Sequence, residues 1–192
     1  LMHEARKTGA DVIPLDSELT SLHMLLHGRD IAEIEKVVIT ASGGPFFGRS
    51  QEELRCVTPA DALQHPRWKM GAQNTLDSAT LMNKAFEIIG VHYLFGVPPE
   101  RIDVLVHPEA VVHALVYFRD GTVLAAMSEP DMRVMIEYAL FYPRRSLKSA
   151  HAFDLAGRAL HFYKVDDVVF KGPERAHAVL GKGVAAVRAL YV

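Results

Sequence analysis

The chain has 192 residues, 49% of them hydrophobic, enough to bury the core of one domain, or of one domain with an extension. Its 21 Lys and Arg nearly cancel its 23 Asp and Glu, so no basic field points to nucleic acid or a membrane surface, and a small molecule or another subunit is the expected partner. A single cysteine, Cys56, excludes an internal disulfide framework and fits a reducing, cytoplasmic setting, and no apolar run is long enough to cross a bilayer.

Leu1 to Gly9 reads as the end of a helix closed by a glycine cap, which raises the expectation that the chain is a piece of a longer protein. Asp11-Val12-Ile13-Pro14-Leu15 predicts a short strand feeding a loop at Asp16-Ser17-Glu18, the place where open α/β sheets carry ligand groups. A helix is predicted over Leu19 to Leu26, then a buried strand over Val37 to Thr40 that runs into the glycine-rich turn Ala41-Ser42-Gly43-Gly44-Pro45-Phe46. Thr58 before Pro59 predicts a short capped helix, and His65 to Gly71 reads as a loop around the chain's only tryptophan, Trp68. Asp77 or Ser78 is expected to cap a long helix ending between Val91 and Gly96. Ile102 to His107 predicts a strand, and Val111 to Phe118 with Thr122 to Met127 a hairpin turning at Asp120-Gly121. Asp131 to Tyr142 predicts a helix stopped by Pro143, and residues 144–192 read as a covering tail with two or three short elements.

The chemistry concentrates in few places. In one continuous helix Thr80, Asn83, Lys84 and Glu87 would share an arc of roughly 100°, with Leu81, Met82, Phe86, Ile88 and Ile89 filling the rest. So narrow a polar face among apolar residues fits a cleft lining better than an ordinary solvated face. Asp16 and Glu18 would point to one side of an extended segment, although adjacent loop acids are commonly just solvated. With Glu87 they would supply three oxygen donors, which suit magnesium or manganese, and no cysteine or histidine spacing suits zinc. Ser42-Gly43-Gly44 either presents N–H groups and a hydroxyl to a phosphate or merely turns the chain; a helix start at Ser78 and the cation of Lys84 favour an anionic ligand. Trp68 is either packing or a contact residue, and His65, His107 and Met70 are open to structural readings.

Taken in order, Pro14-Leu15-Asp16-Ser17-Glu18, Thr40 to Phe46, His65 to Gly71 and Asp77 to Lys84, followed by Tyr93-Leu94-Phe95-Gly96, Val106-His107-Pro108, Asp120 to Ala125 and Pro130-Asp131-Met132-Arg133, resemble the 1-deoxy-D-xylulose 5-phosphate reductoisomerase family over residues 10–143. The resemblance implies an α/β (α+β) fold, a mixed sheet with helices packed on one face, as the catalytic domain of a larger multidomain enzyme. Residues 1–9 would be the remnant of an NADPH domain, 10–143 the catalytic domain, and 144–192 a linker with a truncated or divergent C-terminal extension.

The activity implied is the NADPH-dependent, metal-assisted conversion of 1-deoxy-D-xylulose 5-phosphate to 2-C-methyl-D-erythritol 4-phosphate in the non-mevalonate isoprenoid pathway, by a homodimer. Asp16, Glu18 and Glu87 would hold Mn²⁺ or Mg²⁺. Ser17, Ser42, His65, Trp68, Ser78, Asn83 and Lys84 would bind the phosphorylated sugar, with Trp68 on a mobile flap, and Met70 and Gly71 would meet the nicotinamide. Glu18, Lys84, Glu87 and His107 count as catalytic, His107 from behind the residues that touch substrate.

Departures from the family pattern are Leu19-Thr20, Gln73-Asn74, Glu109-Ala110 and Met135. The family's glycine-rich dinucleotide domain is absent, so this chain alone is not expected to bind NADPH in the family's manner or to be active. The alternative reading is a non-catalytic phosphosugar-binding or assembly module derived from that enzyme.

Overall fold

The computed structural model describes residues 1–147 and 153–190. A short helix α1 (Met2–Thr8) ends at Gly9, and α2 (Ser17–Leu26) follows after an irregular stretch. Next come β1 (Ile34–Ala41), two short helices α3 (Gln51–Leu54) and α4 (Pro59–Ala62), and the pair α5 (Ala72–Thr80) and α6 (Met82–Phe95). Strands β2 (Ile102–Val106), β3 (Val112–Phe118) and β4 (Val123–Met127) precede α7 (Met132–Phe141). The tail adds β5 (Tyr163–Lys164), α8 (Gly172–Leu180) and α9 (Val184–Ala189), three short elements as expected; the part of the tail at 148–152 and 191–192 lies outside the described residues.

Five strands form one mixed sheet in the order β4-β3-β1-β2-β5. Only β1 and β2 run parallel, with Ala41 opposite Val106, so the segments after both strands leave the sheet at the same end. The other pairs are antiparallel. Alternation along the strands sends Val37, Ile39, Val104, Ala114 and Val116 to one face, where Leu22 of α2 and Ala85 and Ile88 of α6 cover them. Phe170, Ala176 and Leu180 extend that core under α8. The α/β (α+β) expectation of a mixed sheet with helices on its core face therefore matches the structure.

Two local expectations are corrected. Residues 11–15 form no strand. Pro14 has no N–H for a ladder, and its carbonyl instead accepts the Thr20 hydroxyl at 2.8 Å. Asp16 is the N-cap of α2, its Oδ1 accepting from the N–H of Glu18 (3.0 Å) and Leu19 (2.9 Å). The two acids thus sit at a helix start and do not alternate along an extended loop.

The long helix expected from Asp77 or Ser78 is two helices. Leu81 breaks it in the left-handed region (φ 55°, ψ 24°), its side chain wholly buried. Such a conformation is disfavoured for a branched residue and leaves no mark in the sequence, because tertiary packing enforces it. Gly172 helps: a Cβ there would lie 2.3 Å from the Leu81 carbonyl oxygen, so only glycine lets α8 approach this corner. Neither Asp77 nor Ser78 caps a helix, since α5 begins after Gly71. Thr80 leaves the expected polar face, its hydroxyl donating back to Leu76 and Asp77. Asn83, Lys84 and Glu87 remain together on the first turns of α6.

Candidate metal centre and anion pocket

A cavity of about 460 Å³ opens where the start of α2, the turn after β1, the loop 65–71 and the α5–α6 corner converge. Capping by Asp16 fixes the first turn of α2 and so aims Glu18 inward, while Glu87 reaches the same point from α6. Ligand atoms of Asp16, Glu18 and Glu87 all lie within 4.8 Å of one another, and among the described residues no other His, Cys, Asp or Glu cluster could hold a metal. Lys84 sits between the glutamates, its ammonium donating to Glu18 Oε1 at 2.9 Å and Glu87 Oε2 at 2.7 Å. Asn83 Nδ2 donates to Glu87 Oε1 at 3.3 Å, and the Ser17 hydroxyl donates to Glu18 Oε2.

Crowding three carboxyl groups around one buried base sets their protonation. Burial, then the Glu18 charge, raises Asp16 to about 6, against the pull of Lys84 and two backbone N–H groups. Glu87 is pushed well up by burial and by Glu18. Burial opposes ionisation of Glu18 too, but Lys84, His113 and the Ser17 hydroxyl outweigh it and the carboxyl titrates low. For Lys84 burial disfavours the charge, and Glu18, Glu87 and Asp16 more than restore it. A third carboxylate that ionises only at cost calls for more positive charge than one lysine brings. Asn83 Oδ1 is buried with no hydrogen-bond partner. Oxygen donors of this kind and number fit a hard divalent cation such as magnesium or manganese.

The second half of the cavity is built around His65. Its Nδ1 accepts from the N–H of Arg67 (3.1 Å) and Trp68 (2.8 Å), so the neutral ring carries its proton on Nε2. That N–H faces Ser42 Oγ at 3.0 Å and Ser78 Oγ at 3.1 Å. Burial, then Lys84, lowers the His65 pKa and keeps the ring neutral. Ser42 follows β1, and Ser78 reaches it because Gly44, at φ 64°, lets the turn press on α5; a Cβ there would lie 2.7 Å from the Ser78 carbonyl oxygen. Two hydroxyls, an imidazole N–H, an amide and an ammonium therefore converge on one space, an arrangement suited to a phosphate.

Trp68 and Met70 line the cavity from the 65–71 loop, whereas Gly71 stands at the start of α5 and does not line it. His107 lies outside the lining as well. It is fully buried behind β2, with Nδ1 at 2.9 Å from the His161 carbonyl and 3.1 Å from Glu109, its ring stacked on Phe162 at 4.7 Å, and Nε2 unpartnered. Sequence reasoning missed His113, buried on β3 where its charge bears on Glu18 and its ring lies 6.4 Å from Trp68. Strand alternation places His113 opposite the core face of β3, but alternation alone does not tell a cleft from a core. It also missed Phe86 and Met132 in the wall; Leu19 and Asn74, two of the departures, line it too.

A family model described as the 1-deoxy-D-xylulose 5-phosphate reductoisomerase C-terminal domain matches residues 12–95, and one described as the DXP reductoisomerase C-terminal domain matches 127–191. The second match carries the likeness beyond Pro143, where the sequence motifs stop. The chain is similar to 1-deoxy-D-xylulose 5-phosphate reductoisomerase of Desulfitobacterium hafniense (strain DSM 10664 / DCB-2), at 45% identity over 95% of this chain and 48% of that protein. To the protein of that name from Acetivibrio thermocellus it is 41% identical over 98% of this chain and 48% of that protein. Among solved structures it resembles a DOX-P reductoisomerase in complex with NADPH, fosmidomycin and magnesium, with TM-score 0.91 and 34% identity over 98% of this chain and 49% of that one. The Zymomonas mobilis 1-deoxy-D-xylulose 5-phosphate reductoisomerase in complex with NADPH gives TM-score 0.88 and 34% identity over 96% and 48%. The chain thus spans about half the length of the relatives it matches.

Proposed function

The chain belongs to the 1-deoxy-D-xylulose 5-phosphate reductoisomerase family, and from that membership we propose that it is the metal- and phosphate-binding part of an enzyme that converts 1-deoxy-D-xylulose 5-phosphate to 2-C-methyl-D-erythritol 4-phosphate with NADPH. The observation that carries the proposal is the meeting of three carboxylates and a Ser–His–Ser–Asn–Lys set in one cavity. The proposal includes the non-mevalonate isoprenoid pathway, a cytoplasmic homodimer, and residues 10–143 as the catalytic unit with 144–192 as its extension.

Asp16, Glu18 and Glu87 would hold Mg²⁺ or Mn²⁺, which when bound would supply Lewis-acid polarisation of the sugar's oxygens. Ser42, Ser78, Asn83 and Lys84 donate to the phosphate, and the Nε2–H of His65 joins them. Held there, the sugar is oriented by a group remote from the bonds that rearrange, so binding energy is spent on positioning. Trp68 and Met70 close an apolar wall over the substrate and exclude water. Ser17 orients Glu18 through its hydroxyl, and His107 ties the end of β2 to the tail at the His161 carbonyl, behind the residues that line the cavity. Met70, in the cavity wall, and Gly71, at the start of α5, would contact the nicotinamide of a bound NADPH, which would supply the hydride.

The test is substrate-dependent NADPH oxidation by the intact protein with manganese. Glu87→Gln is expected to lower kcat/KM by at least about 10–100-fold, the loss typical when a metal site is damaged. A rate within a few-fold of the parent would remove the metal assignment. Tight binding of the sugar phosphate without turnover by the parent would leave a phosphosugar-binding module.

A further inference from the structure

Lys84 and Asn83 serve the carboxylates in this structure, yet they line the cavity together with Ser42, His65 and Ser78. All four carboxylate oxygens of Glu18 and Glu87 already have a donor: Lys84 on Glu18 Oε1 and Glu87 Oε2, Ser17 on Glu18 Oε2, and Asn83 on Glu87 Oε1. A divalent cation drawn to these oxygens meets an ammonium already bonded to two of them, in a buried place where like charges repel strongly. Asn83 is held at one end only, since its Oδ1 is buried without a partner. Both residues stand on the first turn of α6, whose N-terminal N–H groups favour an anion beside them.

We propose that Lys84 and Asn83 are exchanged between two ligands: a divalent cation at Asp16, Glu18 and Glu87 releases them from the glutamates to a phosphate at Ser42 and Ser78, so each ligand tightens the other. The inference rests on the metal-and-phosphate reading of the site. Linkage makes the effect reciprocal: whatever factor the cation contributes to phosphate affinity, phosphate contributes to cation affinity. The device also orders the site, because the anion grip is complete only after the ammonium has left the carboxylates.

The experiment titrates Mn²⁺ into the intact protein, following free Mn²⁺ by electron paramagnetic resonance, with and without saturating methyl phosphate. Methyl phosphate is expected to tighten Mn²⁺ binding about 10-fold, within the range of ordinary coupling energies. Lys84→Met, relieved of the competing ammonium, is expected to bind Mn²⁺ more tightly than the parent without the anion, and to respond to methyl phosphate by less than about 2-fold. Asn83→Ala, which keeps the ion pair and guards against a Lys84 variant that fails to fold, is expected to retain Mn²⁺ binding with weaker coupling. If the parent binds each ligand but the two Mn²⁺ affinities agree within 2-fold, the exchange is overturned and the site reading survives. If the parent binds no Mn²⁺ at all, the site reading falls, and the exchange with it.

Discussion

The two nitrogens of His65 face different tasks: Nδ1 braces the backbone of Arg67 and Trp68, and Nε2–H meets the serine hydroxyls. Protonation puts a hydrogen on Nδ1 and turns both braces into clashes, and since burial, then Lys84, depresses the pKa, that occurs only below the ordinary histidine value of 6.5. Trp68, the only tryptophan of the chain, reports on it. Its fluorescence is expected to red-shift on acidification with a midpoint below 6.5, and His65→Asn, whose amide oxygen takes the place of Nδ1, is expected to abolish that step. A step that persists in His65→Asn would assign the titration to another group of the site, Asp16 or the buried His113 beside Trp68, and not to His65. At this scale much of the candidate site could be read from the chain, because Asp16, Glu18, Ser42, His65, Ser78, Asn83, Lys84 and Glu87 carry short motifs and do share a cavity. His113 could not, since an isolated histidine in an apolar strand has the same appearance whether it faces a cleft or a core.

The corner at Leu81 turns two helices into the frame of the site. Without it, Ser78 and Lys84 would lie on one rod; with it, α5 brings Ser78 to Ser42 while α6 swings Lys84 and Glu87 toward α2. The corner is tightened by the approach of Gly172 to the Leu81 carbonyl. Gly172→Ala is therefore expected to destabilise the protein by roughly 1–3 kcal/mol in denaturant unfolding, an overpacking cost. Gly181→Ala, at the other end of α8 with nothing within 4 Å and φ −78°, is the control and should shift stability by less than about 0.5 kcal/mol. Equal effects at both positions would mean that the corner is not held by this contact. Patterns that depend on local sequence were readable: the Thr58–Pro59 cap, the hairpin at Asp120-Gly121 and the helix stopped by Pro143 all stand where the residues place them. Leu81 was not, because the packing around it includes a glycine 91 residues away in sequence.

Across the whole molecule, the parallel pairing of β1 and β2 braces the turn bearing Ser42 from outside the cavity, for it sets that turn beside the segment bearing His107, whose backbone N–H donates to the Ala41 carbonyl at 2.7 Å. The strands could be read singly from alternation, but not their order, since β1 pairs with partners more than 60 residues later and no local signal encodes that choice. The tail shows the same limit: β5 is two residues long, and α8 is recognisable only by what it covers on α6. Joined by that sheet and core, three acids and a phosphate-shaped donor set form one centre, and the account stands on the cation they are proposed to share. Crystals of the intact protein grown with manganese, measured at its absorption edge, test this directly. An anomalous peak coordinated by Asp16, Glu18 and Glu87, at about the 2.1 Å usual for small hard cations, is the expected result, with Lys84 withdrawn from at least one glutamate. A peak elsewhere, or none while Lys84 stays on both glutamates, would contradict it.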